Sequence, residues 1–176
     1  SGSVSGKQGL EVLVDTAAQL RDDRNIKLMV VGEGPFLSDL KNHVANLNLE
    51  NIIFLPLQPR ESLAQQLSSA DALVITQKRA ITDIVFPGKL LYYLAVGRPI
   101  LAAVSDESET GYFVRSKGVG VVTPPEDPQA LAEAIRCLAE RDLNEMRRLA
   151  RHIAEQYFDR NVVLPKFVLH LEQLTQ

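Results

Sequence analysis

The feature that most restricts this chain is a regular alternation of short apolar runs with segments of helical period. Apolar runs at residues 26–31, 51–55, 72–76, 99–104 and 119–123 are bounded by glycine, proline or polar residues and are short enough for buried strands. Between them, apolar residues recur at three- and four-residue spacing. Leu10, Leu13, Val14, Ala17 and Ala18 mark a helix over about residues 8–21, Phe36, Leu40, Val44 and Leu47 another opened by Pro35, and Leu63 and Leu67 a short one within 59–69. A weaker pattern lies within 107–116, and Leu131, Ala134, Ile135 and Leu138 mark a stronger one. Strands that alternate with helices across short loops predict an α/β fold: a doubly wound, Rossmann-like parallel sheet flanked by helices. Such a sheet should open with a strand, for which Ser3 and Val4 are a candidate remnant, so the chain reads as an excised part of a longer polypeptide. Two helical patterns close the chain, one through Leu143, Met146, Leu149 and Ile153 and one over 162–174, which Pro165 is expected to interrupt.

No repeat, low-complexity tract or linker divides the 176 residues, so a single domain over 1–176 is expected. Nineteen basic and 22 acidic residues give a net charge of −3 without a long basic run, which excludes a nucleic-acid binder. No apolar stretch is long enough for a membrane span. Cys137 is the single cysteine, so an internal disulfide is impossible and a reducing, cytoplasmic compartment is expected. His43, His152 and His170 stand apart on helical segments and make no metal cluster.

The chemistry concentrates in residues 86–99, Phe86-Pro87-Gly88-Lys89-Leu90-Leu91-Tyr92-Tyr93-Leu94-Ala95-Val96-Gly97-Arg98-Pro99. Pro87 suits a first helical turn, Gly88 lets a ligand approach the free amides of Lys89 and Leu90, and Gly97 suits a left-handed cap. The segment reads either as an anion site or as an ordinary well-capped crossover helix. Doubly wound sheets bind ligands at the carboxyl ends of their strands. That rule gathers four loops at one edge: 5–9, 32–35, 56–59 and 76–89. Lys7, between Gly6 and Gly9, is placed either to meet a phosphate or as a surface lysine. Glu33, between Gly32 and Gly34, is placed to reach a ligand hydroxyl or to offset a helix dipole. Asp106 and Glu107 read as a helix cap, while Glu109 stays open as a hydroxyl-binding residue. The glycines at 32 and 34 lack the third of a dinucleotide fingerprint, and no phosphate-loop lysine motif or nucleophile elbow occurs.

In order and spacing, Gly6-Lys7-Gln8-Gly9-Leu10, Val30-Val31-Gly32-Glu33-Gly34-Pro35, Asn51-Ile52-Ile53-Phe54-Leu55, Ala70-Asp71-Ala72-Leu73-Val74, the 86–99 segment and Gly118-Val119-Gly120-Val121-Val122 with Pro125-Glu126-Asp127 carry a resemblance. The chain resembles the C-terminal, donor-binding half of a family 4 retaining glycosyltransferase of the twin-Rossmann (GT-B) type. The resemblance implies a nucleotide-diphosphate sugar as donor, its base against Leu57 and Gln58, and its diphosphate held by Lys7 and by the amides near Gly88, Lys89 and Leu90. Lys7 and Lys89 would then be catalytic, stabilising the departing nucleoside diphosphate without an obligatory metal or other cofactor. It further implies an N-terminal acceptor domain in the same polypeptide, against which helices from about 142 to 175 would pack. The Phe-Pro-x-Lys-Leu variant resembles a branch that builds surface polysaccharides on lipid-linked acceptors, which would place a full-length enzyme at the inner face of the plasma membrane. One departure bears on the donor. Aligning on Phe86 puts the family's two glutamates at Ile84 and Tyr92, leaving Asp83 as a neighbouring substitute for the first and a phenol in place of the second. That loss keeps open an alternative, a non-catalytic Rossmann-like scaffolding module.

Overall fold

The structure, a computed structural model, describes residues 2–80 and 88–174. The alternation read from the sequence is present. Strand β1 (Gly2–Ser3) leads through a 3-10 turn at Gly6–Gln8 into α1 (Glu11–Gln19), followed by β2 (Leu28–Glu33), α2 (Leu37–Asn46) and β3 (Ile52–Leu55). A second 3-10 turn at Arg60–Ser62 joins α3 (Leu63–Ser68), and then come β4 (Leu73–Thr76), α4 (Gly88–Ala95), β5 (Ile100–Ala103), α5 (Glu109–Ser116) and β6 (Gly120–Thr123). Helices α6 (Pro128–Ala139), α7 (Asn144–Tyr157) and α8 (Arg160–Leu174) end the chain.

Several boundaries differ from the sequence reading, each for a local reason. The first helix begins at Glu11 because Gly9, at φ 61°, ends the preceding turn in the left-handed region. Asp106 and Glu107 are not the cap of α5. Ser108 is, its Oγ accepting from the Gly111 amide at 3.0 Å, while Asp106 pairs with Arg115. Pro165 lies inside α8 without interrupting it, since a proline removes a single backbone donor and its ring needs only local adjustment. Gly97 caps α4 as expected, at φ 62° with its amide on the Leu94 carbonyl at 2.9 Å.

All strand pairs are parallel, in the order β1-β2-β3 and β4-β5-β6, as expected of a doubly wound, Rossmann-like fold. Strand β1 meets β2 at Gly32 and Glu33, and a pocket between β2 and β4 is lined by residues 28–31 and 73–76.

Helices cover both faces, and β5 shows how the sequence divides between them. Leu101 and Ala103 belong to a core with Val12, Leu13, Leu131 and Leu138 of α1 and α6, whereas Ile100 and Ala102 belong to one with Leu90, Leu94, Ala150 and Ile153 of α4 and α7. Its continuous apolar run is thus the two-faced pattern of a buried parallel strand. On the first face Arg136 of α6 bonds Asp23 at 3.0 Å and the Gln19 carbonyl at 2.7 Å. On the second, Arg151 of α7 donates to the Ala95 carbonyl at 2.6 Å.

Tyr93 is buried in the second core, its hydroxyl donating to the Val74 carbonyl at 3.5 Å, and burial pushes its pKa up to about 12. The folded value lies above the unfolded value near 10, so the neutral phenol's contribution is complete below pH 10 and is lost as the pH rises from 10 through 12. Denaturant midpoints measured across that window should fall for the parent chain, with about 2–3 kcal/mol of the loss absent in Tyr93→Phe. Equal slopes would show that Tyr93 does not resist ionisation.

Candidate functional site

Because every strand is parallel, Ser3, Glu33, Leu55, Thr76, Ala103 and Thr123 end at one edge, and the loops singled out in the sequence leave from it. The first two are locked together by backbone. The Val4 amide donates to the Glu33 carbonyl at 2.8 Å, and a Cβ at Gly32 or Gly34 would stand 1.8 Å from the Gly2 carbonyl oxygen or 2.1 Å from that of Val4. These glycines therefore exist for close chain approach, with φ of 154° and 157°, and the exposed Glu33 side chain between them projects from the edge.

A second link joins the Gly6–Gln8 turn to the end of β4. Thr76 Oγ1 donates to the Gln8 carbonyl at 2.7 Å, a Cβ at Gly9 would lie 3.2 Å from the Gln77 backbone, and Lys78 pairs with Glu11 at 3.2 Å. The turn that carries Lys7 is thereby fixed beside the loop that leads toward α4. Further on, the Arg79 amide donates to Glu126 Oε2 at 3.0 Å, and Glu126 takes a left-handed φ of 57° in the β6–α6 loop. Sequence periodicity does not reveal this contact. Its signal was a residue in a proline-bounded turn reaching 47 positions back, which periodicity does not carry.

At the head of α4, a Cβ at Gly88 would meet none of the described residues within 4 Å, and the first-turn amides have no partner within the helix. Leu90 is fully buried, which leaves its amide rather than its side chain for a ligand. The Lys89 ammonium is partly buried against β1, 3.9 Å from where a side chain at Gly2 would begin, and desolvation lowers its pKa. Leu57, Gln58, Tyr92 and Glu109 are exposed, Gln58 turning its amide onto the Pro56 carbonyl at 2.9 Å. Tyr92 lies on the outer face of α4, and Glu109 in the first turn of α5. A Cβ at Gly6 would lie 4.0 Å from the Phe36 ring. Asp83, Phe86 and Pro87, together with Ile84, lie outside the described residues.

Among the described residues no group of three or more His, Cys, Asp or Glu side chains is arranged to hold a metal ion, and no helix is long and apolar enough to cross a membrane. What the edge offers among the described residues is a row of glycine turns, a helix start, a partly desolvated ammonium and exposed carboxylates, suited to an anionic ligand that also carries hydroxyls.

This architecture is a Rossmann-like half of the GT-B kind. It superposes on sucrose-phosphate synthase from Thermosynechococcus elongatus with a TM-score of 0.80 at 23% identity, covering 99% of this chain and 45% of that one. It also superposes on Anabaena HepE, solved in complex with UDP, with a TM-score of 0.79 at 23% identity, covering 98% of this chain and 48% of that one. The family model of glycosyl transferases group 1 matches residues 1–141, and the chain belongs to that family. It is 33% identical over 169 residues to an Escherichia coli K12 protein named as a colanic acid biosynthesis glycosyl transferase, WcaI. The match takes in 96% of this chain but only 41% of that relative's length.

Proposed function

We propose that this chain is the donor-binding half of a glycosyltransferase that moves a sugar from a nucleotide-diphosphate sugar to an acceptor in surface polysaccharide or glycolipid synthesis. One observation carries the reading: the first turn of α4 and the Lys89 ammonium stand at the same strand edge as the glycine turns, in a chain of the glycosyl transferases group 1 family. In this reading the diphosphate lies against the amides of Gly88, Lys89 and Leu90. Lys7 and Lys89 take up the charge that grows on the leaving nucleoside diphosphate. Gly6 keeps the backbone open to it, Gly34 lets the end of β2 lie against Val4 beneath the donor, Leu57 and Gln58 receive the base, and Glu33, Glu109 and Tyr92 reach hydroxyls of ribose and sugar. Asp83, Phe86 and Pro87 add donor contacts from the residues preceding α4. UDP in the HepE complex supports a uridine donor as the first to try.

The acceptor belongs to a separate N-terminal half of the same polypeptide. Helix α8 supports that placement, since Leu164, Phe167, Val168 and Leu171 are exposed and no residue of the helix is buried, whereas α7 already packs on α4.

The test is calorimetric titration of the full-length polypeptide with UDP, GDP and ADP, repeated on Lys7→Ala. Saturable binding of one nucleotide, weakened about 10- to 100-fold by the substitution, is the expected result, the size being that of one charge-assisted contact. Absence of binding by all three would return the chain to a scaffolding role.

A further inference from the structure

We infer that Glu126 is a positioning residue, a role that rests on the donor reading: its carboxylate reaches over the carboxyl end of β5 to hold Arg79, and with it the segment against which the Gly6–Gln8 turn is set. Strands β4 and β6 flank β5 in register, with Thr76 and Thr123 on either side of Ala103. Three residues beyond them stand Arg79 and Glu126, in loops that leave strands about 10 Å apart. The Arg79 amide donates to Glu126 Oε2 at 3.0 Å and its guanidinium to the Pro125 carbonyl at 3.4 Å, so one turn holds both the backbone and the side chain of Arg79.

The backbone at Glu126 is what sets this contact apart. Among the described residues, two that bear side chains take a left-handed φ, Asn48 at 50° and Glu126 at 57°. Asparagine tolerates that region, whereas glutamate is strained in it. Other residues serve the start of α6: Asp127 is its cap, Oδ1 accepting from the Ala130 amide at 2.9 Å, and Pro128 occupies the first turn. Glycine would meet the turn's conformation without strain. What the glutamate side chain adds is an acceptor for an amide 47 positions away, and strain held for such a contact points to function.

From Arg79 the connection to the donor edge is short. Thr76 Oγ1 donates to the Gln8 carbonyl at 2.7 Å, the backbone of Gln77 and Lys78 stands 3.2 Å from where a Cβ at Gly9 would be, and Lys78 pairs with Glu11 at 3.2 Å. Residues 76–79 are therefore wedged between the turn that carries Lys7 and the β6–α6 loop. Gln77 donates to the Ala103 carbonyl at 3.1 Å, which registers the segment to the sheet two residues before Glu126 takes hold of it. With Arg79 released, Lys78 can withdraw from Glu11, and the Gly6–Gln8 turn loses part of its wall. Glu126 thus acts through Arg79 rather than on the donor itself.

Glu126→Gly and Glu126→Gln in the full-length polypeptide test this role through calorimetry with UDP, GDP and ADP, hydrogen exchange at the Arg79 amide, and melting temperature. The glycine variant keeps the left-handed turn and loses the acceptor. Expected is about 3- to 10-fold weaker binding of the nucleotide that the parent binds, the scale of one hydrogen bond, with Arg79 exchanging about 10-fold faster and the melting temperature unchanged or higher. Glu126→Gln, which retains an oxygen acceptor at the same reach, should bind within about twofold of the parent. Parent-like affinity in the glycine variant despite faster exchange at Arg79 would overturn the role, as would unchanged exchange there or a glutamine variant as weak as the glycine one. A melting temperature that falls along with affinity would also overturn it, leaving Glu126 a support of the fold alone. Failure of the parent itself to bind any of the three nucleotides is a separate result, which removes the donor reading and this role with it.

Discussion

Gly32→Ala lowers the melting temperature by roughly 10 °C and detaches residues 2–4 from the second strand, an effect of about 3–4 kcal/mol for a chain of this size. The new Cβ would stand 1.8 Å from the Gly2 carbonyl oxygen and 2.9 Å from its carbon, both rigid backbone atoms, so no rotamer change relieves the contact. The φ of 154° adds strain for any residue bearing a side chain. If β1 moves away, the Val4–Glu33 hydrogen bond breaks, and Val4, only 2% exposed, returns to water at about 1.5–3 kcal/mol. The Gly6–Gln8 turn hangs from this segment, so affinity for nucleoside diphosphate should fall in the same variant. Gly34→Ala, with its Cβ 2.1 Å from the Val4 carbonyl oxygen, should behave alike. A melting temperature within about 2 °C of the parent would show that residues 2–4 do not sit against β2.

The elements were legible because two physical signals coincide in them. Period-2 burial on both faces makes strands such as β5 continuous apolar runs, and the 3.6 period places Leu131, Ala134, Ile135 and Leu138 on the inner face of α6. Boundaries decided by a single side-chain bond were not legible. Whether Ser108 or its acidic neighbours caps α5 depends on which oxygen reaches the Gly111 amide, and Asp106 is diverted by Arg115 seven residues beyond the cap. At the site, the glycine turns and the start of α4 could be placed at one edge by the rule for parallel sheets alone. The contacts that hold the edge together, Thr76 on the Gln8 carbonyl and Glu126 on the Arg79 amide, join residues 68 and 47 positions apart and leave no local pattern. The glycines around Glu33 illustrate a subtler point: the sequence suggested room for a ligand, and the geometry shows room for the chain's own backbone.

Lys89→Met separates binding from stability. In the donor reading it weakens nucleoside diphosphate binding about 10- to 100-fold, the scale of a lost charge-assisted contact in a partly desolvated site. Stability at neutral pH should hold or rise, because the ammonium is partly buried and desolvation has already lowered its pKa below 10.5. The linkage sign follows from that direction. Between the lowered folded value and 10.5 the unfolded chain binds more protons, so this residue's contribution makes the parent more stable as the pH rises through that window. Binding runs the opposite way, because the same rise removes the charge that meets the diphosphate. Affinity of the parent should therefore fall with alkaline pH before an exposed lysine would titrate, and the methionine variant should lack that part of the fall. Calorimetry at several pH values with parallel denaturation curves reads both quantities. If the variant binds as tightly as the parent and follows the same pH course, Lys89 packs against β1 and takes no part in holding the anion.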